Sequence, residues 1–225
     1  MNFISEQHAL KTNAADGGGG CIKGIVGLVF TLAVLVAAPP IVTASELPAC
    51  STDQAASFHN CRGSYTSPSG DRYDGDWQNN QPHGRGILRF ANGNTYEGEF
   101  KEAQFHGEGK FTFASGDYYT GAFASGQYEG KGKFIFRDGR RYEGDWRNSK
   151  SHGLGVFTFA NGDKYEGQFA EDRPAGEGSF FYANGEIFKG SWAAGKRNGE
   201  GTLFAADGTI KAQGLYVNDE LQPAQ

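Results

Sequence analysis

The chain has little of what a helical or conventionally packed globular protein needs. It contains one methionine and three cysteines among its 225 residues, and its mean hydropathy is −0.55. No stretch after residue 45 runs far without a glycine, and a glycine inside a helix costs roughly 1 kcal/mol. These deficits exclude a helix bundle and predict short strands joined by turns.

The sequence also has no large excess of either charge. It contains 21 Lys and Arg and 26 Asp and Glu, which give a net charge of −5. That balance argues against disorder by self-repulsion and has the wrong sign for a general nucleic-acid binder. Serine-hydrolase, Walker and Cys-His motifs are absent from the sequence. We therefore expect no enzyme, no cofactor and no nucleic-acid partner, and we expect a small-molecule substrate to be unlikely.

Residues 24–44 form an uncharged segment that contrasts with everything downstream. Its densest apolar run, residues 25–38, is about 14 residues long, which suits a signal peptide and is short of the roughly 20 needed to span a bilayer. Small residues precede Ser45, as at a signal-peptidase site. Residues 1–44 are thus predicted to be a signal peptide or an uncleaved membrane anchor. Either places the remainder outside the cytoplasm, as a periplasmic, extracellular or membrane-anchored protein.

Cys50 and Cys61 are the two cysteines that follow this segment. Disulfides persist in exported proteins, so we expect a Cys50–Cys61 bond, with two unpaired thiols as the alternative. Residues 47–50 also resemble a lipobox, which makes lipidation of Cys50 a second alternative. Residues 45–60 are expected to be a linker.

The dominant feature is an internal repeat with a period of 23 residues. Each unit has an aromatic ring, a glycine two residues later, and a second ring two residues after that. The first rings are Tyr73, Tyr96, Tyr119, Tyr142, Tyr165 and Phe188. A Gly-x-Gly pair and a turn glycine complete each unit. Residues spaced by two share one face of a strand, so each unit is predicted to be a β-hairpin with its rings and glycines on one face.

The pattern Tyr-x-Gly-x-Trp/Phe followed by His-Gly-x-Gly resembles the MORN (membrane occupation and recognition nexus) repeat. The resemblance implies an all-β fold: a single-layer, elongated, twisted antiparallel sheet of repeated 23-residue β-hairpins. The array is expected to span residues 61–210, as a half-unit plus six full repeats, with a C-terminal cap and tail at 211–225. The resemblance also implies a protein-binding or membrane-associating scaffold. Glu129, Ala175 and Asn198 replace the motif histidine in three units.

A one-layer sheet has no second sheet to cover its rings, so the sequence predicts an exposed aromatic stripe. Exposed Trp and Tyr carry much of the energy of protein interfaces. The candidate partner-binding residues are Trp77, Tyr96, Tyr142, Trp146, Tyr165 and Trp192. The primary hypothesis is therefore an exported, non-enzymatic scaffold for a protein partner, with carbohydrate binding on the same face as an alternative.

A local excess of positive charge between residues 131 and 150 gives another alternative. The candidate lipid-binding residues are Lys131, Lys133, Arg137, Arg140, Arg141 and Arg147. On the face opposite the rings they could bind anionic headgroups of a membrane. A solvated strand face of alternating charge is the simpler interpretation.

The histidines and glutamates of the repeat invite a catalytic or metal-binding interpretation, which their spacing argues against. His83, His106 and His152 recur with the hairpin, which places them at least two strands, roughly 9–10 Å, apart, whereas zinc ligands converge within a few ångströms. Glu97, Glu143 and Glu166 follow repeat tyrosines and are expected to face solvent.

Overall fold

The computed structural model describes residues 47–51 and 57–223. These residues form one antiparallel sheet of 15 strands that pair in chain order. The strands are β1 (Cys61–Thr66), β2 (Arg72–Gln78), β3 (Gln81–Arg89), β4 (Thr95–Lys101), β5 (Gln104–Thr112), β6 (Tyr118–Ala124), β7 (Gln127–Ile135), β8 (Arg141–Arg147), β9 (Lys150–Thr158), β10 (Lys164–Ala170), β11 (Arg173–Phe181), β12 (Ile187–Ala193), β13 (Lys196–Phe204), β14 (Ile210–Val217) and β15 (Glu220–Leu221). The predicted all-β sheet of consecutive hairpins is confirmed.

The segment expected to target the membrane, residues 1–44, lies outside the described residues. Within the described ranges no helix has the length and apolar character required to cross a bilayer.

Each repeat is a hairpin of a seven-residue strand, a two-residue turn and a nine-residue strand, as in β8 and β9. The glycines of the two strands lie opposite each other, Gly144 facing Gly155. Beyond this pair the register shifts between Gly144 and Asp145, which marks a β-bulge. Gly153 of the bulge has a φ of 57°, a left-handed conformation that glycine adopts without strain. The bulge therefore explains why the first glycine of the Gly-x-Gly pair recurs.

A tight two-residue turn joins the two strands of each hairpin. Both of its residues have positive φ, for example Asn148 at 49° and Ser149 at 62°, as in a type I′ turn. In the second unit Glu102 and Ala103 adopt the same conformation, with φ values of 51° and 62°. These residue types do not favour such a turn, so the flanking strands impose it.

The repeat tyrosine packs against bare backbone. Tyr142 lies over Gly144 and Gly155, where a methyl group built on Gly155 would come within 2.6 Å of the tyrosine Cε2. Its hydroxyl donates a 2.9 Å hydrogen bond to the carbonyl oxygen of Asp145. Equivalent bonds recur at Tyr73, Tyr96, Tyr119 and Tyr165. The rings of the repeat tyrosines thus pack directly on the backbone of the paired glycines.

Neighbouring rings cover one another along the sheet. Tyr142 packs edge-on against Trp146 and Phe169, with centroid distances of 5.0 and 4.9 Å. Two further rings, Phe105 and Tyr128, stack at 3.8 Å on Tyr96 and Tyr119. The result is a closed aromatic layer on one side of a single sheet.

The turns that connect successive hairpins are linked by side chains. The Asp163 carboxylate accepts a 2.7 Å hydrogen bond from the backbone N–H of Ala183 in the following turn. Asp71, Asn94 and Asp117 make the same link. These hydrogen bonds therefore link successive turns along much of one edge of the sheet.

The amino-terminal end of the sheet is closed by part of the expected linker. β1 pairs with β2 in the predicted half-unit register, with Gly63 opposite Gly75. The backbone N–H of Cys50 donates to the carbonyl oxygen of Arg62 at 2.8 Å, and Cys50 and Cys61 form a disulfide. The expected Cys50–Cys61 pair is therefore present. At the other end, the short β15 pairs with the last residues of β14.

Candidate partner-binding groove

The face opposite the rings carries an open depression of about 1140 Å³, which we call the groove. It crosses the strands from β6 to β12. Six repeat glycines contribute to its lining: Gly132, Gly144, Gly155, Gly167, Gly178 and Gly190. The other lining residues are Thr120, Lys131, Lys133, Glu143, Leu154, Val156, Glu166, Glu177, Ser179, Phe181, Ile187 and Lys189.

Strand pairing aligns six of these side chains in a row. The direct partners across successive strands run Lys133, Glu143, Val156, Glu166, Ser179 and Lys189. Adjacent strands lie about 4.8 Å apart, so the row extends roughly 24 Å along the sheet. That length suits a segment of polypeptide that lies along the axis of the array.

Apolar side chains interrupt the charged rows near the middle of the groove. Leu154 is 62 % exposed and stands where other repeats have a charged residue, such as Arg85 or Glu108. The half-buried Val156 lies two residues away on the same face. Phe181 and Ile187 form a second apolar pair, opposite each other on β11 and β12. These residues are the groove's main apolar surface.

The charged groups of the groove are largely compensated within the chain. Lys131 pairs with Asp145 at 2.6 Å, and Lys133 pairs with Glu143 at 2.8 Å. Glu166 pairs with Lys164 at 3.1 Å. Exposed pairs of this kind contribute at most about 1 kcal/mol each to stability. The groove is therefore close to neutral, and its charged side chains can exchange these ion pairs for bonds to a partner.

The six predicted partner-binding rings lie in the closed aromatic layer, so the prediction of an exposed stripe is wrong. Tyr96, Tyr142 and Tyr165 are 0 % exposed, and Trp77, Trp146 and Trp192 are 7, 2 and 7 % exposed. Each indole N–H is bonded to a glycine carbonyl oxygen, Gly63, Gly132 or Gly178. Rings that lie flat on glycine backbone and contact each other edge-on need no second sheet to exclude water. The six rings are therefore part of the protein's core.

The six predicted lipid-binding residues do not form one patch. Lys131 and Lys133 line the groove, and Arg140 bonds to the Asp138 carboxylate at the turn edge. Arg141 and Arg147 are both exposed, but they begin and end the same strand. A seven-residue strand separates them by about 20 Å. Arg137 is exposed in the turn that precedes β8. Neutralisation and separation weaken the collective attraction that headgroup binding needs.

The histidines and carboxylates show no catalytic arrangement. His106 lies opposite Glu99 and His152 opposite Asp145 at the bulges of their own hairpins. In the part of the chain that the structure describes, no three potential metal ligands converge. Glu97, Glu143 and Glu166 face solvent or the groove edge, as expected.

The buried tyrosines are the groups whose titration is most perturbed. Burial raises the pKa of Tyr96, Tyr119 and Tyr142 well above the ordinary value, because the protein interior disfavours the phenolate. Tyr73, Tyr128 and Tyr165 shift in the same direction for the same first cause. These shifts mark structural residues.

Comparison with protein families agrees with the repeat geometry. Six consecutive segments match the MORN repeat model: residues 73–95, 96–118, 119–140, 142–164, 165–187 and 188–210. The chain belongs to the MORN repeat family. MORN repeats are generally associated with protein or membrane interactions and form a non-catalytic repeat scaffold.

Two solved structures of the TCP10 domain of Danio rerio CPAP, the wild type and a point mutant, are similar to part of this chain. Their sequence identities are 16 % and 17 %; each match covers 69 % of this chain and 79 % or 78 % of the other, with a TM-score of 0.35. A catalytically inactive virginiamycin B lyase from Staphylococcus aureus with quinupristin matches at 10 % identity over 69 % of each chain, with a TM-score of 0.19. No protein of curated function matches the chain significantly.

The groove was not predicted from the sequence, because the rings dominate the repeat pattern. The available signal was Leu154, which stands where the two neighbouring units carry Lys131 and Glu177. Apolar residues on the solvent face of one unit are a stronger indication of a binding surface than rings shared by every unit.

Proposed function

We propose that this MORN protein is an exported, non-catalytic scaffold that binds a segment of a partner protein in the groove. The observation that carries the proposal is the asymmetry of the two faces. The aromatic layer is closed, whereas the opposite face has a depression with Leu154 62 % exposed at its middle. An exposed apolar group flanked by charges is typical of a protein-binding surface.

The groove's dimensions and chemistry favour a peptide segment. The row from Lys133 to Lys189 runs along the sheet and offers charged groups of both signs with apolar groups between them. A partner with an apolar side chain over Leu154 and Val156 would bury that surface from water. Its charged groups could bond to Lys133, Glu143 or Glu166 by exchanging with the existing ion pairs. Charge placement of this kind adds specificity more than affinity.

Export is supported by two features of the chain. Residues 24–44 have the character of a targeting segment, and the disulfide joins Cys50 to Cys61 downstream of it. Disulfides of this kind persist in oxidising compartments. A protein on the outer side of a membrane is therefore the proposed setting, with or without an anchor.

Binding of anionic lipid remains the second candidate, because Arg137, Arg141 and Arg147 are exposed. Their separation and the pairing of the other three basic residues make it the weaker one. Carbohydrate binding depended on exposed Trp and Tyr, and the burial of the six rings removes that basis.

Site-specific photo-crosslinking tests the proposal. A photoreactive amino acid at Leu154 should capture a partner protein from the native compartment, and the purified partner should bind the chain directly. Leu154→Asp should then weaken binding more than tenfold, because it places a charge on the apolar centre of the groove.

Leu221→Asp is the matched control, since Leu221 is also exposed, at 43 %, but lies on β15 outside the groove. Equal loss in both variants would contradict a groove site. Sedimentation with anionic vesicles tests the lipid candidate: vesicle binding that Arg141→Glu abolishes, with no capture at Leu154, would replace the protein-binding proposal.

A further inference from the structure

The disulfide occupies a definite place in the repeat. Cys50 precedes Tyr73 by one 23-residue period and so stands where a unit has its first ring, while Cys61 stands where Gly84 recurs. Gly63 is aligned in the same way with Gly86. The amino-terminal half-unit therefore keeps the repeat's second strand but has a cysteine in place of the tyrosine.

The contacts of Cys50 match this position. A methyl group built on Gly63 would lie 2.9 Å from the Cys50 Cβ and 3.0 Å from its Sγ. The same methyl group on Gly86 would come within 2.6 Å of the Tyr73 ring. A disulfide sulfur thus covers the glycine that a tyrosine ring covers in the complete units.

Two backbone hydrogen bonds join the segment that carries Cys50 to β1. The N–H of Cys50 bonds to the carbonyl oxygen of Arg62, and the N–H of Arg62 bonds to that of Pro48. Phe58 packs edge-on against Trp77 with centroids 5.1 Å apart. Without the covalent link, non-covalent contacts alone would have to keep this five-residue segment ordered against its conformational entropy.

We propose that the Cys50–Cys61 disulfide is a redox-dependent cap that closes the amino-terminal end of the sheet. A dithiol reductant transfers two electrons and two protons to the bond, yielding two cysteine thiols, and is itself oxidised to a disulfide. Residues 47–51 then leave β1, which uncovers Gly63 and opens the outer edge of that strand. The rest of the array stays folded, because repeat arrays are stabilised mainly by neighbouring units.

Hydrogen exchange measured by mass spectrometry on the full chain tests this cap. A Cys21→Ser background leaves Cys50 and Cys61 as the only thiol pair. On reduction, amide exchange in residues 47–51 and in β1 should accelerate at least tenfold, while β4 to β13 should keep their protection. Unchanged exchange in residues 47–51 and β1 would overturn the proposal, and so would loss of protection throughout the array.

A second variant tests whether Gly63 is the surface that the disulfide covers. Gly63→Ala adds a methyl group against Cys50, so it should lower the dithiol concentration that half-reduces the bond by about fivefold or more. Gly139→Ala is the control, because a methyl group there would have no atom within 4 Å. An equal effect of both substitutions, or no effect of Gly63→Ala, would contradict the contact on which the cap depends.

Discussion

Because Phe188 packs on Gly201, the effect of Gly201→Ala on stability should depend on the size of the side chain at position 188. A methyl group on Gly201 would come within 2.6 Å of the Phe188 Cε2 and closer still to its Cζ, whereas the third-nearest atom, the Lys189 carbonyl oxygen, is 3.4 Å away. Phe188 is fully buried and packs against Trp192 and Tyr216 at 5.5 and 5.1 Å. Moving this ring would therefore disturb its packing against both neighbours.

Gly201→Ala should lower the free energy of unfolding by about 2–3 kcal/mol, the cost of forcing a packed side chain aside. Phe188→Leu removes the two clashing atoms, at a cost of about 1–2 kcal/mol of its own. In that background Gly201→Ala should be neutral or stabilise by about 0.5 kcal/mol, because alanine restricts the unfolded chain and Gly201 has no positive φ. The coupling energy between the two sites should thus be about 2–3 kcal/mol.

Denaturant unfolding followed by tryptophan fluorescence, to which Trp192 beside Phe188 contributes, measures these values. Gly208→Ala is the control: its methyl group meets no atom within 4 Å, and its φ of 85° imposes the same penalty in both backgrounds. An equal cost of Gly201→Ala in both backgrounds would refute the idea that the glycine exists to seat the ring.

Three further predictions follow from the same layer and its edges. Phe188→Tyr should stabilise the chain by about 1 kcal/mol in thermal unfolding, because the new hydroxyl can bond to the Ser191 carbonyl oxygen as in five other units; no gain would contradict that geometry. Asp163→Ala should lower the free energy of unfolding by about 1 kcal/mol, because it removes the hydrogen bond from the N–H of Ala183. The control Asp138→Ala removes no link to the next turn and should lower it by less. The buried tyrosines have raised pKa values in the folded state, so their stabilisation is complete below pH ~10 and is lost as pH rises above it; circular dichroism and the phenolate absorbance of these buried tyrosines should change together, and their ionisation without unfolding would contradict burial.

The period of the repeat was enough to predict the strands and most of their pairing. A ring, a glycine and a ring spaced by two residues define one strand, and the constant 23-residue spacing keeps every unit in register. The structure pairs Tyr142 with Phe157 and Gly144 with Gly155, as that pattern requires. This part of the fold is local in sequence, so the sequence predicts it well.

The bulge, the tight turns and the burial of the rings depend on geometry between strands. Glu102 and Ala103 carry no turn signal, and their positive φ values are imposed by the strands that they join. A flat one-layer sheet would leave Tyr142 exposed, but a ring that lies over two glycines and touches its neighbours is covered. The groove lies on the opposite face, which the ring pattern of the sequence does not mark.

A footprint of the bound partner tests the central claim, that the groove rather than the aromatic layer is the interaction surface. Hydroxyl-radical labelling of the chain, alone and with its captured partner, reports the solvent access of individual side chains. The groove account predicts strong protection of Leu154, Val156 and Phe181, with no change at the exposed Leu221. Protection confined to Arg137, Arg140 and Arg141 at the turn edge, with Leu154 still labelled, would contradict it.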